Sequence, residues 1–226
     1  LANLVGYLKF SAAKALTWRI PHDAKLSVHV PFDANLQSPR SHSSYTLALG
    51  NKQNQCLALI DWANKKAPLA CTASAASELC AAHYTTANTT GLASFLADTI
   101  SESSYSLEDP TVKYYLCGDN ISSLLILQKG HSPVSSSWAT HRAYTLRLAM
   151  MNQQFRFRIF RPLHIRSDKN IADLASKVAH PREVFVRLSE LLGLSFGIPC
   201  ITAVLDYNSD TNKKLANCLD ETPSVA

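Results

Sequence analysis

The chain has 226 residues, 46 % of them apolar and 17 % charged, which is the composition of a folded globular protein and excludes a disordered or fibrous one. No apolar run reaches the roughly 18–20 residues of a membrane span, and the six cysteines lack the paired spacing of a zinc site or a disulfide framework. Because no segment is long and apolar enough, no membrane partner is expected. The net charge is +5, and 11 of the 22 basic residues lie between Lys129 and Arg187, so the charge favours a polyanionic partner.

The first part of the chain predicts three antiparallel strands after a short lead-in. Residues 3–19 have apolar side chains at helical spacing, which indicates a short helix followed by a turn. Residues 25–34 alternate between apolar and polar side chains, as a strand does, and this strand leads into Asp33. Residues 45–49 and 56–62 are two further apolar segments joined by a polar turn, which predicts a hairpin.

The later elements are predicted in the order helix, strand, helix, helix, strand, helix. Their ranges are Ser77–Ile100, 112–119, Asn120–Leu127, His141–Asn152, 155–165 and Ile171–Val178. The segment 155–165 is assigned to a strand because phenylalanine and arginine alternate along it. Three strands followed by alternating helices and strands predict an α/β protein with a mixed sheet.

The chain is predicted to divide into two parts. Residues 1–179 form the domain, with residues 1–24 as a lead-in helix and connector. Residues 180–226 form a C-terminal helix, which starts near Pro181, and a polar tail. Within that tail, residues 198–205 have the composition of a further strand.

Four acidic residues are predicted at the edges of these elements. Asp33 and Asp119 end strands, whereas Glu78 and Asp173 lie in the first turns of helices. Carboxylates brought close together raise one another's pKa, and a divalent cation with oxygen ligands relieves that repulsion. Two such ions about 4 Å apart stabilise the attacking and leaving oxygens of a phosphodiester. Each acid taken alone is equally well explained by the helix dipole or by turn formation.

Around these acids the sequence resembles the ribonuclease H domain of copia-type LTR retrotransposon polyproteins. The similarity extends from Leu4 to Lys177 and consists of seven blocks in the family's order. The blocks are Leu4–Lys9 (similar to RYLKGT), Phe32–Asn35 (SDAD), Arg40–Tyr45 (RSTSGY), Asp61–Pro68 (SWSSKKQP), Ser74–Glu78 (SSTEAE), Cys117–Asn120 (CDN with one inserted glycine) and Ile171–Lys177 (LADILTK). Asn35, Ser44 and Thr140 depart from the family pattern, and none of them replaces an expected metal ligand.

The resemblance implies a ribonuclease H-like fold, with a mixed five-stranded sheet flanked by helices, and cleavage of the RNA strand of RNA·DNA hybrids. The reaction would use two Mg²⁺ ions, for which Mn²⁺ could substitute. Asp33 would be the bridging ligand, and Glu78, Asp119 and Asp173 would complete the catalytic metal shells. The implied partner is the reverse transcriptase portion of the same polyprotein, in cytoplasmic virus-like particles or in the nucleus. A chain that begins at Leu1 is then expected to be a piece of a longer one.

Six further residues are candidates for contact with nucleic acid. Asn35 and Asn120 could read a 2′-hydroxyl, and His141 matches the histidine of the family's KHID motif. Arg156, Arg158 and Arg161 are expected to lie beside the last strand and Asp173. Because arginine side chains suit phosphate groups, these three are candidates for contact with the hybrid backbone. Ordinary roles stay open for all of these: His141 could be a helix cap, and the arginines could be the solvated face of a strand.

Three alternatives follow from the same residues. Asp61 could be mistaken for the first catalytic acid, but on an alternating strand it is expected away from Asp33, and the neighbouring Trp62 is expected to pack. The chain could also be a catalytically inactive ribonuclease H-like module that binds nucleic acid or protein. An integrase or resolvase of the same superfold fits less well, because the long helix after the hairpin follows the ribonuclease order.

Overall fold

Eight strands and five helices make up the part of the chain that the structure, a computed structural model, describes. That part comprises residues 15–16, 18, 20–21, 24–36, 41–51, 56–67, 71, 73–103, 106–107, 109–131, 142–177, 181–191 and 194–195. The strands are β1 (Ala15–Leu16), β2 (Lys25–Asn35), β3 (His42–Gly50), β4 (Cys56–Lys66), β5 (Ser106–Leu107), β6 (Tyr114–Gly118), β7 (Phe160–His164) and β8 (Leu194–Ser195). The helices are α1 (Ser74–Glu102), α2 (Ile121–Lys129), α3 (Arg142–Arg156), α4 (Asp173–Ser176) and α5 (Arg182–Leu191), with a 3₁₀ turn at Ser167–Lys169.

Five of the strands form one mixed sheet in the order β4-β3-β2-β6-β7. The hairpin-connected strands β2, β3 and β4 are antiparallel, whereas β6 and β7 run parallel to β2. The short β5 pairs with the start of β2, and β1 pairs with β8 in a separate two-stranded sheet. This topology confirms the predicted α/β class and the ribonuclease H-like fold with its mixed five-stranded sheet.

The main core lies between one face of the sheet and the helices α1, α2 and α3. Alternate residues of β2 enter this core and are almost fully buried: Leu26, Val28, Val30 and Phe32. The facing side of α1 carries alanines, including Ala81, Ala93 and Ala97, whose small side chains let the helix approach the sheet closely. None of the described helices combines the length and the apolarity that crossing a lipid bilayer requires.

The segment 155–165 does not form the predicted strand. Helix α3 continues through Phe155, and the strand β7 begins five residues later. Phe155 is 1 % exposed and packs in the main core with Met151, one helical turn earlier, so burial of the helix face overrides the local alternation. Phe157 is 69 % exposed, and Arg158 has a φ of +56° in the turn between α3 and β7.

Other sequence-based boundaries also change. Residues 15–16 form a strand, although they fall in the segment 3–19 for which a short helix followed by a turn is predicted. Residues 3–14, the predicted strand 198–205 and the polar tail lie outside the described residues. Helix α1 begins at Ser74, so Glu78 lies in its second turn and not in its first. Trp62 is 58 % exposed, so the expectation that it packs is wrong.

The predicted boundary after residue 179 stays a prediction. Helix α5 confirms the helix expected near Pro181. Its Leu188 and Leu191 form a small buried cluster with Leu59 of β4 and with Ile171. The helix is therefore joined by apolar contacts to elements on the other side of that boundary.

A matched pair of glycine substitutions tests the packing next to Asp119. A Cβ atom at Gly118 would lie 2.6 Å from Cζ of Phe32, whereas a Cβ at Gly91, in the middle of α1, meets nothing within 4 Å. We expect Gly118→Ala to lower the free energy of unfolding by about 1–3 kcal/mol, because the ring of Phe32 must shift in a packed core. Gly91→Ala should raise it by about 0.5–1 kcal/mol, because alanine is the better helix former. Urea unfolding of both variants checks this, and equal effects would contradict it.

Candidate active site

Three acidic side chains converge at one edge of the sheet. Asp33 lies near the carboxyl end of β2, and Asp119 directly follows β6, the parallel neighbour of β2, so both reach the same edge. Glu78 approaches from α1, which packs on β2 and β3. Ligand oxygens of the three carboxylates all lie within 4.8 Å of one another. The structure thus brings together three of the four predicted acids.

The fourth acid, Asp173, lies beside this group but is paired differently. It is the first residue of α4, as predicted, and it is 7 % exposed. Its carboxylate forms an ion pair with Lys177, four residues later. The negative charge of Asp173 also raises the pKa of the Asp33 carboxyl. Asp173 therefore adjoins the three-carboxylate group on the side of Asp33.

The electrostatics of the group disfavour ionisation without a cation. Burial, reinforced by the charges of Asp33 and Asp119, raises the pKa of Glu78 to about 9. Burial is also the main reason why the pKa of Asp33 rises to about 7, and a hydrogen bond from Ser176 opposes that rise. The Oε2 atom of Glu78 is buried and has no hydrogen-bond partner among the described residues. A divalent cation would satisfy this oxygen and neutralise its neighbours, so the residues fit a metal site.

Two side-chain hydrogen bonds attach the segment before α4 to the strands that carry the site. The amide of Asn170, which is fully buried, donates from Nδ2 to the carbonyl of Phe32 at 2.9 Å. The hydroxyl of Ser44 on β3 donates to the carbonyl of Ala172 at 2.8 Å. Ser44 is one of the departures from the family pattern, and its hydroxyl has this positioning role.

Three residues that the sequence did not single out take part in the site. Ser176 donates from Oγ to the carboxylate of Asp33, and Lys177 pairs with Asp173. His164, the last residue of β7, donates from Nε2 to the backbone carbonyl of Asp119 at 3.2 Å. The signal for His164 is a polar residue near the end of the predicted strand 155–165, but the sequence does not show that this strand pairs with β6.

The predicted nucleic-acid contacts next to the acids have structural partners. Asn35 donates from Nδ2 to the carbonyl of Ser176 at 3.4 Å. Asn120 caps α2 by accepting the amide of Ser123 on Oδ1 at 3.1 Å. Both lie within two residues of a converging carboxylate in the sequence. His141 lies outside the described residues.

The three predicted phosphate contacts Arg156, Arg158 and Arg161 lie at the other end of β7. Arg156 is the last residue of α3, Arg158 lies in the following turn, and Arg161 is the second residue of β7. Because β6 and β7 are parallel, the start of β7 lies beside Tyr114, whereas Asp119 follows the far end of β6. Arg161 pairs with Asp109 at 3.5 Å. The expectation that these arginines lie beside Asp173 is wrong, because it depended on the incorrect strand.

Asp61 lies outside the carboxylate group. It is on β4, at the edge of the sheet, where its Oδ2 atom accepts a hydrogen bond from the hydroxyl of Tyr45 at 2.9 Å. Its Oδ1 atom accepts the backbone amide of Trp62 at 2.9 Å. These bonds give Asp61 a structural role on the edge strand.

A basic pocket of about 170 Å³ adjoins α1, on a side other than that of Glu78. It is lined by Ser43, Lys65, Lys66, Ala67, Cys80, His83, Tyr84, Ala87 and Arg147. Three of these side chains are cationic, and none of the described lining residues is acidic. The hydroxyl of Ser43 is buried there, with no hydrogen-bond partner in the described part of the chain. The pocket therefore has the charge and the polar group that suit an anion.

Comparison with known proteins gives likenesses of structure alone. No family model matches the chain, and no curated protein matches it. An RNase H1 from Halobacterium salinarum has 12 % sequence identity, covers 66 % of this chain and 94 % of its own, and has a TM-score of 0.45. An N-terminal RNase H domain from Mycobacterium tuberculosis, solved as a fusion with maltose-binding protein, has 10 % sequence identity and a TM-score of 0.39. The match covers 74 % of this chain and 98 % of that one. A compost-derived RNase H1 in complex with an RNA/DNA hybrid has 12 % sequence identity and a TM-score of 0.37. The match covers 67 % of this chain and 93 % of that one.

Proposed function

We propose that this chain is a ribonuclease H that cleaves the RNA strand of RNA·DNA hybrids by metal-dependent hydrolysis of phosphodiesters. The observation that carries the proposal is the convergence of Asp33, Glu78 and Asp119 within 4.8 Å at the carboxyl edge of the sheet. The same three acids lie in sequence blocks that resemble the copia-type ribonuclease H domain. A buried carboxylate group of this kind destabilises a protein that has no cation to bind, so its presence favours a catalytic role.

The metal would be Mg²⁺, two ions in all, with Mn²⁺ able to replace it. Carboxylate oxygens are the ligands that Mg²⁺ prefers, and Asp33, which adjoins the other three acids, would be the shared ligand. Two bound divalent ions supply Lewis-acid stabilisation of charge on the attacking and leaving oxygens. Ser176 orients the carboxylate of Asp33 through its hydrogen bond. His164 fixes the backbone at Asp119, and Lys177 holds Asp173 beside the group.

The basic pocket supports a polyanion as the substrate. Cys80 of the pocket and Glu78 of the site are two residues apart on α1 but on different faces, so a strand that crosses the beginning of the helix would bring phosphates both to the pocket and to the carboxylates. Lys65, Lys66 and Arg147 would neutralise phosphates of that strand. Asn35 and Asn120 stay our candidates for contact with a 2′-hydroxyl.

The biological setting is a further part of the proposal. The seven ordered blocks support an origin in a copia-type retrotransposon polyprotein, with its reverse transcriptase portion as the partner. Reverse transcription produces RNA·DNA hybrids, so the two activities would act on the same molecule. The location would then be a cytoplasmic virus-like particle or the nucleus.

A cleavage assay tests the proposed function. A labelled RNA·DNA hybrid is incubated with the protein in Mg²⁺ and, separately, in Mn²⁺, alongside the variants Asp119→Asn and Asp61→Asn. We expect cleavage of the RNA strand by the unmodified protein and by Asp61→Asn, and none by Asp119→Asn. No cleavage with either metal would overturn the enzymatic proposal and favour the inactive binding module. Equal cleavage by Asp119→Asn would overturn the site.

Substitution of Arg147 tests the pocket. We expect Arg147→Ala to weaken hybrid binding about three- to tenfold and to reduce the slope of log K against log salt by about one, since one phosphate contact is lost. Arg156→Ala is the matched control and should leave both quantities unchanged, because Arg156 lies at the other end of the sheet. Fluorescence anisotropy of a labelled hybrid in EDTA, at several salt concentrations, measures both. A larger effect of Arg156→Ala would contradict the assignment.

A further inference from the structure

Two thiols lie next to each other where the chain enters α1. Cys71 lies in the connection between β4 and α1, and Cys80 lies in the second turn of α1. Their Sγ atoms are 4.0 Å apart. Cys80 is buried, whereas Cys71 is half-buried and so has partial access to solvent. Successive residues in a helix are about 100° apart, so Cys80 points about 200° away from Glu78 and takes no part in the carboxylate group.

The surroundings of Cys71 favour its reactive form. The hydroxyl of Tyr144 on α3 donates to Sγ of Cys71 at 3.4 Å. Hydrogen bonding with Cys80 and with Tyr144 lowers the pKa of Cys71 below that of an ordinary thiol, against the effect of burial. Arg147 lies one turn after Tyr144 and lines the same basic pocket as Cys80, so the local charge is positive. A partly exposed thiolate in an electropositive site, beside a second thiol, is the arrangement that oxidants select.

We propose that Cys71 and Cys80 form a reversible oxidation site, in which a hydroperoxide oxidises Cys71 and Cys80 then closes a disulfide. With hydrogen peroxide, the Cys71 thiolate attacks one oxygen, the O–O bond breaks, and the departing hydroxide takes up the proton that the thiol released on ionisation and leaves as water. This step oxidises Cys71 to a sulfenic acid. The sulfur of Cys80 then attacks the sulfur of Cys71, the S–O bond breaks, and the hydroxyl leaves as a second water with the proton of Cys80. One peroxide is reduced, and two thiols become one disulfide.

The geometry permits this bond with a small movement. A disulfide needs a sulfur–sulfur distance of about 2.05 Å, so the two atoms must approach by about 2 Å. Cys71 belongs to no helix or strand, and rotation of its side chain and a shift of the connection can supply that approach. Cys117 is the third cysteine whose side chain is described, and it is fully buried on another part of the sheet. It therefore serves as the internal control.

The disulfide would act on the helix that carries Glu78. It would close a loop that contains the beginning of α1 and would tie that beginning to the connection from β4. Cys80 also lines the basic pocket, so the bond would change the wall of the pocket. Oxidation would thus alter both the carboxylate site and the basic pocket, whichever reaction the site performs.

Peptide mapping of the oxidised protein tests the proposal. The full chain is treated at pH 7 with one to ten equivalents of hydrogen peroxide, blocked with iodoacetamide, digested and analysed by mass spectrometry with and without dithiothreitol. We expect a peptide pair linked through Cys71 and Cys80 that dithiothreitol separates. Cys117→Ser should form the same link. In Cys80→Ser, Cys71 should accumulate as a sulfenic acid that dimedone traps.

Two results would overturn the proposal, and both can be obtained from the unmodified protein. The first is a peroxide-treated sample in which Cys71 stays reduced or is linked to a cysteine other than Cys80. The second concerns alkylation by iodoacetamide, whose rate at Cys71 should have a pH midpoint below the value of about 8.5 for an ordinary thiol, because hydrogen bonding lowers the pKa of Cys71. A midpoint near the ordinary value would show that the site lacks the reactive thiolate.

Discussion

Asp33→Asn is expected to reduce cleavage of an RNA·DNA hybrid by about a thousandfold or more, the scale on which removal of one preorganised electrostatic group affects catalysis. Asp33 adjoins Glu78 and Asp119 within 4.8 Å, and its carboxyl also feels the charge of Asp173. Asparagine has nearly the same shape and keeps an oxygen that can accept the hydrogen bond from Ser176. The substitution therefore removes the charge at the centre of the group while it preserves the local packing.

The measurement is the single-turnover rate of cleavage of a labelled hybrid in saturating Mg²⁺, with circular dichroism to show that the fold is intact. Asp168→Asn is the matched control, because Asp168 lies in the 3₁₀ turn and pairs with Arg166 instead of with the carboxylate group. It should retain the wild-type rate. A loss of less than about tenfold for Asp33→Asn would show that this residue does not hold the catalytic metal.

Glu78→Gln is expected to stabilise the metal-free protein at alkaline pH by a few kcal/mol, even as it abolishes activity. The pKa of Glu78 is raised from 4.5 to about 9 in the folded state, chiefly by burial. Between those values the folded protein binds more protons than the unfolded chain, so its stability falls as the pH rises through that window. The contribution of one such group is about 1.4 kcal/mol per pH unit. Glutamine cannot ionise, and the variant lacks this slope.

Urea unfolding in EDTA at pH 5, 7 and 9 measures the effect, with Glu102→Gln as the control on the same helix, since Glu102 is exposed at its last position. The control should follow the wild-type pH dependence. Addition of Mg²⁺ should restore the stability of the wild type at pH 9 but have much less effect on Glu78→Gln, because binding to the folded state alone stabilises it. A wild-type stability that is constant from pH 5 to 9 would contradict the assignment.

The sequence predicts the fold best where a local pattern and burial agree. In β2 the alternation of apolar residues continues as far as Asp33, and alternate side chains do enter the core. In the segment that begins at Phe155, alternation and burial disagree. Phenylalanine and arginine alternate there by coincidence, whereas the position of Phe155, one turn after Met151, buries its ring on a helix. A short window cannot decide between these two periods without knowledge of the surface against which the segment packs.

The residues of the candidate site fall into two groups, those that the sequence could identify and those that it could not. The acids could be identified because they lie at the ends of strands or near the starts of helices, and because their blocks resemble a known family. The residues that position them could not. Asn170 and Phe32 are 138 residues apart, and Ser176 and Asp33 are 143 apart, so no local pattern records either hydrogen bond. His164 was missed because the sequence does not show that its strand pairs with β6 and ends beside Asp119.

These long-range hydrogen bonds also determine when the site can form during synthesis. Asp33 is made early, but the serine that orients its carboxylate, the asparagine that anchors the neighbouring segment and the adjoining Asp173 all follow residue 169. A nascent chain that has not released residues 170–177 from the ribosome therefore has the strands and α1 without the finished arrangement around Asp33. The surroundings of Asp33 are therefore completed only after residues 170–177 have joined the edge of the sheet.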